Sequence, residues 1–137
     1  MVPNVRYLLD THVWLWAVLG DRRLSRAARR VLGSLTSAER VGLAAISLKE
    51  AAWLLARGRV VAAGRSWQDW LRQASRAPNI ELMPLTIEVA IASEDFSSSF
   101  PTDPADRLIA APARVNGFTL MTADDSLRDS REVATLW

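Results

Sequence analysis

Six acidic residues stand where apolar runs end: Asp10 in VRYLLDTHVWLW, Glu50 in SLKEAAWLLARG, Asp103 and Asp106 in DPADRLIAAPARVNG, and Asp124 and Asp125 in FTLMTADD. A carboxylate drawn out of water into such surroundings needs a hydrogen bond, a counter-ion or a metal, or it costs several kcal/mol. Helix capping satisfies each one singly. Asp10 reads as an N-cap, Ser47 with Glu50 as an S-x-x-E capping box, Asp103 with Asp106 as an N-cap and its N3 partner, and Asp124 as the cap of a turn. Capping does not explain why so many acids follow strands or open helices.

Parallel strands place all their carboxyl ends on one edge of a sheet, and the helices that follow start on that edge. Acids so placed converge, repel one another and raise each other's pKa values. A hard divalent cation removes the repulsion, and Mg²⁺ or Mn²⁺ prefers carboxylate and water oxygens while keeping positions open for a phosphate. Such an ion activates water and stabilises the charge of a phosphodiester under attack. The chain has no cysteine and one histidine, His12, which excludes disulfides, thiolate zinc sites and histidine-rich sites. Two other chemistries fit less well. A Ser-His-Asp mechanism would have to use His12, two residues past Asp10, and no G-x-S-x-G elbow is present. A phosphoaspartate hydrolase of the haloacid dehalogenase kind opens on D-x-D after its first strand, and here His12 takes the place of the second acid.

The elements that would position these acids alternate. Val5 to Leu9 reads as a buried strand followed by a helix from Thr11. LSRAARRVLG, Leu24 to Gly33, is an amphipathic helix with a glycine stop, VGLAAIS from Val41 a second strand, and SLKEAAWLLARG, Ser47 to Gly58, a helix with a serine start. SWQDWLRQASRA from Ser66 is a further helix, IELMP from Ile80 a third strand, and TIEVAIASEDF a helix. DPADRLIAAPARVNG from Asp103 begins a helix with proline at its first position, FTLMTADD from Phe118 is a fourth strand, and VATLW an edge strand. The expected fold is α/β, one domain over residues 1–137, with a central parallel sheet of four to five strands flanked by helices on both sides.

Composition narrows the function classes further. At 137 residues with half of them hydrophobic, the chain can bury a real core and is not disordered. No apolar run approaches the ~20 residues of a spanning helix, and no signal peptide precedes the first strand, so no membrane association and a cytoplasmic location are expected. Net charge is only +2, and every basic residue except Lys49 is arginine. Arginine forks suit a phosphate backbone, although a GC-rich coding sequence produces the same bias. Six tryptophans accompany one tyrosine. Trp14 and Trp53 read as core, while Trp16, Trp67 and Trp70 are candidates for a partner contact, since tryptophan is favoured at binding hot spots.

Taken in order, LLDTHVWLW, SLKEAAWLLARGR, LMPLT, DPADRLIAA and LMTADDSL resemble PIN-domain ribonuclease toxins of the VapC type, over nearly the whole chain. The resemblance implies a metal-dependent endoribonuclease that uses Mg²⁺ or Mn²⁺, acts on RNA, forms a homodimer and is neutralised by a VapB-type antitoxin. The family's acidic quartet falls on Asp10, Glu50, Asp106 and Asp124, with Asp10, Asp106 and Asp124 as metal ligands and Glu50 acting on the attacking water. Thr122 matches a supporting hydroxyl, Asp103 and Asp125 are secondary acids, and the antitoxin would lie near Trp53 and Trp67. The chain departs from the family in reading AAPA where AATA is usual, which sets Pro112 inside the helix after Asp106. Two other readings stay open: a PIN-like scaffold that binds RNA or protein without cutting, and a metal-dependent phosphatase of another α/β family.

Overall fold

A computed structural model describes residues 4–137 of the chain. The elements run β1 (Val5–Leu9), α1 (Thr11–Leu19), α2 (Arg26–Ser34), β2 (Arg40–Ala44), α3 (Ala45–Ala56), α4 (Trp67–Ser75), β3 (Ile80–Met83), α5 (Ile87–Glu94), α6 (Pro104–Asn116), β4 (Thr119–Met121), α7 (Asp125–Ser130) and β5 (Thr135–Leu136). The five strands form one sheet in the order β3-β2-β1-β4-β5, and every pairing is parallel. The expected α/β architecture is therefore the observed one, with the C-terminal strand at an edge.

Side chains alternate between two apolar layers. Leu8 and Leu120 point into a core shared with Phe100, Ile109 and Leu127, from the side of α5, α6 and α7. Their neighbours Leu9 and Met121 point the other way, to Val13, Trp14, Ala28 and Ala51 of α1, α2 and α3. Helices thus cover both faces, as a parallel sheet requires. Val5 and Leu8 share a face although three residues apart, because the β1–β2 register slips between them.

Strand order matters more than strand count. The chain steps outward from β1 to β2 and β3, then returns to the other side of β1 for β4 and β5. This reversal creates the crevice at the carboxyl ends of β1 and β4 where open α/β sheets bind ligands. Asp10 follows β1 directly and Thr122 follows β4. The ladder reaches them: the Asp10 amide donates to the Met121 carbonyl at 2.9 Å, and the Thr122 amide to the Leu136 carbonyl at 3.3 Å.

Several local expectations are corrected. Helix α3 starts at Ala45 rather than Ser47, with Ala44 as an N-cap that makes no side-chain bond. Good helix formers follow β2 immediately, and the Ser47 hydroxyl has a tertiary partner that removes it from capping. Gly33 lies inside α2, which Ser25 caps and which ends at Ser34 before extended Leu35. That exposed glycine costs about 0.5–1 kcal/mol of helix propensity without breaking the helix. The six-residue helix α7 was not expected; Asp124 caps it through the Ser126 amide.

Pro104 occupies the first turn of α6 and Gly117, at φ 69°, ends it. The helix continues through buried Pro112, so the Leu108 carbonyl lacks the N–H that another residue would donate. Pro112→Thr is expected to raise the melting temperature by several degrees, the restored bond and relieved ring clash being worth up to about 3 kcal/mol. An unchanged or lower value in a thermal melt would show that packing around the ring already compensates.

Candidate active site

Asp10 caps α1 from the end of β1. Its Oδ1 accepts the Thr11 amide at 2.7 Å and its Oδ2 accepts the Thr122 hydroxyl at 2.7 Å. Burial nevertheless pushes the Asp10 carboxyl above its ordinary range; the hydrogen bonds and His12 pull it down, and Asp124 adds to the rise. Capping and chemistry are not exclusive here, because a desolvated carboxylate is stabilised by any positive charge brought near it.

Thr122 ties two acids together. Its buried hydroxyl donates to Asp10 and accepts the Asp124 amide at 3.1 Å. Asp124 in turn accepts from the Ser126 amide at 2.9 Å and the Ser126 hydroxyl at 2.6 Å, both at Oδ1. The T-x-D spacing thus positions Asp124 through backbone and Asp10 through a hydroxyl.

Glu50 is held from the other side. The Thr11 hydroxyl lies 2.6 Å from Glu50 Oε1 and 2.8 Å from the Ser47 hydroxyl. Thr11 has one proton and a carboxylate only accepts, so that proton goes to Glu50 and Ser47 donates to Thr11. The S-x-x-E pattern is therefore not a capping box. Its spacing puts Ser47 and Glu50 on one face of α3, where both meet Thr11. Thr11 and Ser47, 1% and 0% exposed, are the positioning residues that sequence reasoning missed, although S-x-x-E beside D-T carried the signal. Thr11→Val should leave Ser47 and Glu50 without their partner, destabilise the fold by about 1–3 kcal/mol and slow the ribonuclease activity that the family resemblance implies about 10- to 100-fold, as loss of an orienting partner does. Denaturant titration and cleavage rates check this; unchanged cleavage would make Thr11 purely structural.

Asp106 sits in the first turn of α6, half-buried. Its pKa is raised from 3.8 to about 6, first by burial and then by Asp103, Asp124, Asp10 and Glu50 in that order. The four quartet acids therefore share one electrostatic space, to which Asp103 also contributes. Asp103 is the N-cap of α6, accepting the Ala105 amide at 2.9 Å. Asp125 is exposed and paired with Arg128 at 3.3 Å; it points to a neighbour on its own helix.

The donor set suits a hard cation. Among the described residues no three His, Cys, Asp or Glu side chains close into a metal cage. An open array of carboxylates is compatible with a strongly hydrated ion, since Mg²⁺ keeps several waters and takes one or two carboxylates directly.

The tryptophans divide. Trp14 is 1% exposed and packs against half-buried Trp70 at 6.5 Å between ring centroids. Trp53 is half-buried under the guanidinium groups of Arg57 and Arg59, 4.5 and 4.8 Å from its ring. Trp67 is half-buried at the start of α4, and Trp16 packs at a tilt against His12 and Trp137.

The PIN domain family matches residues 7–132 of the chain. Ribonuclease VapC22 of Mycobacterium tuberculosis is 39% identical over 132 residues, covering 95% of this chain and 97% of that protein. The structure of VapBC2 from Rickettsia felis bound to a promoter DNA fragment superposes with a TM-score of 0.71 at 14% identity, covering 96% of this chain and 97% of the other. That of FitAcB from Neisseria gonorrhoeae gives 0.70 at 23% identity, covering 96% of each. These two likenesses concern the fold, whereas the family match and the 39% identical relative concern descent. The chain belongs to the PIN-domain family, as a member of the VapC type.

Proposed function

We propose that the chain is a divalent-cation-dependent endoribonuclease and the toxin of a toxin–antitoxin pair. The observation that carries the reading is the convergence of Asp10, Glu50, Asp106 and Asp124 on one electrostatic space at the β1–β4 crevice, where burial first and then the charges of Asp103, Asp124, Asp10 and Glu50 raise Asp106 to about 6. Asp10, Asp106 and Asp124 would hold the ion, directly or through water. Bound there, Mg²⁺ or Mn²⁺ lowers the pKa of water and neutralises charge on the phosphate.

The chain's own groups do the rest. Thr11 fixes Oε1 of Glu50, so the second oxygen is left to orient the attacking water and take its proton. Thr122 holds Asp10 and Asp124 in register. Water attacks phosphorus as Glu50 takes its proton, the bond from phosphorus to the 3′ oxygen breaks, and that oxygen takes up a proton from solvent, so the products carry a 3′-hydroxyl and a 5′-phosphate.

The VapC identity of the relative and the toxin–antitoxin complexes among similar structures support a VapB-type antitoxin as partner. A groove of about 480 Å³ lined by Leu24, Leu32, Leu35, Ala74 and Ile80 lies among α1, α2 and α4, beside buried Trp14, whose indole N–H has no partner. It mixes these apolar residues with Arg29, Thr36, Glu39 and Asn79 and lies on the same layer as Trp70, with Trp67 on α4 itself and Trp53 on α3. A homodimer is supported by exposed Leu85, Ile87 and Ile91, at 59%, 78% and 58%, beside edge strand β3.

The test is substrate class. With Mn²⁺ or Mg²⁺ the purified protein should cut total bacterial RNA to fragments bearing 5′-phosphates and leave p-nitrophenyl phosphate untouched. Turnover of the small ester would favour a phosphatase.

A further inference from the structure

The C-terminal end of α3 carries a concentration of positive charge that no acid offsets. Trp53 lies three residues past Glu50 and Arg57 seven past it, which puts all three on one face of the helix, with Arg57 about 10 Å from Glu50 along the axis. The guanidinium groups of Arg57 and Arg59 both sit over the Trp53 ring, 4.5 and 4.8 Å from its centroid. Both arginines are exposed, and among the described residues neither pairs with a carboxylate. Arg6, Arg23 and Arg114 also lie over rings, but each of those pairs with an acid. The backbone holds the arrangement in place. Gly58, at φ 69°, donates its amide to the Leu55 carbonyl at 3.1 Å, and the Arg59 amide donates to the Leu54 carbonyl at 2.9 Å. These are the two bonds of a Schellman cap, and the turn they fix brings residues on either side of Gly58 to the same indole. Arg57 spends one nitrogen on its own helix, Nη1 lying 3.5 Å from the Trp53 carbonyl. The remaining donors of both forks are free for an anion, and a planar fork matches phosphate.

We propose that Arg57 and Arg59, steadied by Trp53, are a phosphate anchor for the substrate RNA outside the carboxylate cleft, holding the strand along α3 beyond Glu50. The inference rests on the ribonuclease reading and adds to it the contact that supplies affinity. Four carboxylates repel a phosphodiester, so the attraction that brings a strand to them has to come from a neighbouring surface, and this pair lies on the same helix face as one of the four. Phosphate contacts position a strand without reading its bases, so the anchor strengthens binding of every sequence alike.

The experiment uses an Asp106→Asn background, so that RNA is bound and not cut, with Mg²⁺ present. Fluorescence anisotropy follows a labelled mixed-sequence oligoribonucleotide over a series of salt concentrations. Arg57→Gln and Arg59→Gln should each weaken binding about ten-fold, as loss of a hydrogen bond to a charged group does, and each should reduce the slope of log affinity against log salt by about 0.7. Arg30→Gln removes the same charge from an exposed position on α2 and should change neither quantity. Both anchor positions are exposed, so thermal melts should coincide with the background. Unchanged affinity and slope in both anchor variants overturn the proposal and leave the pair to an acidic protein surface. An equal loss in Arg30→Gln also overturns it, because binding would then follow net charge and not this site. In either case the nuclease reading stands, whereas a folded background protein that binds no RNA overturns both.

Discussion

Asp106→Asn is expected to lower RNA cleavage by about 1,000-fold, the scale seen when a group that stabilises developing charge is removed, and to raise the melting temperature of the metal-free protein at pH 7. Unfolded, Asp106 loses its proton near 3.8; folded, it keeps it to about 6. Below 3.8 both states are protonated and the group adds no penalty. As pH rises toward 6 the unfolded chain ionises first and stability falls, and above 6 the full penalty is present. Solvent screens a half-buried side chain, which reduces the penalty to ~1–2 kcal/mol, and attraction to the N-terminal dipole of α6 returns about 0.3–1 kcal/mol of it. The net gain in the variant is a few degrees at pH 7 and none at pH 4. A purely structural carboxylate would behave the opposite way, its loss lowering stability while sparing catalysis. Melting curves at the two pH values together with cleavage rates separate the cases.

Adding Mg²⁺ or Mn²⁺ is expected to raise the melting temperature of the parent, and EDTA to reverse it and stop cleavage. An ion at 100 times its dissociation constant contributes about 2.7 kcal/mol. Because Asp106 must give up its proton to bind, the thermal shift should shrink as pH falls from 7 to 5, through the value of about 6. In Asp106→Asn the shift should be much reduced at every pH. A shift of equal size in that variant would place the ion away from the quartet.

The positions of Asp10, Asp106 and Asp124 were legible because a parallel sheet converts linear order into one edge: each follows a strand or opens a helix, whereas Glu50 reaches the others from the second turn of α3, which starts at Ala45. How each is held was less legible. Ser47 satisfies a local capping pattern with Glu50, yet its partner is Thr11, 36 residues away, and no local rule sees that distance. The same blindness set the start of α3 two residues late. Helix α7 was hidden because Asp124 and Asp125 read as the end of a strand and the helix has only six residues, too few for a periodic pattern. Trp16 was singled out because it could not share a face with Trp14, but its neighbour Trp137 became visible only once β5 was placed beside β4.

The measurement that bears most directly on the central claim is cleavage of total bacterial RNA by the purified chain with Mn²⁺, with EDTA, and by Asp10→Asn prepared identically. Discrete fragments with 5′-phosphates that require the ion and disappear in the variant are the predicted result. Undiminished cleavage by folded Asp10→Asn, or by the parent in EDTA, would contradict it and leave Asp10 as no more than the cap of α1.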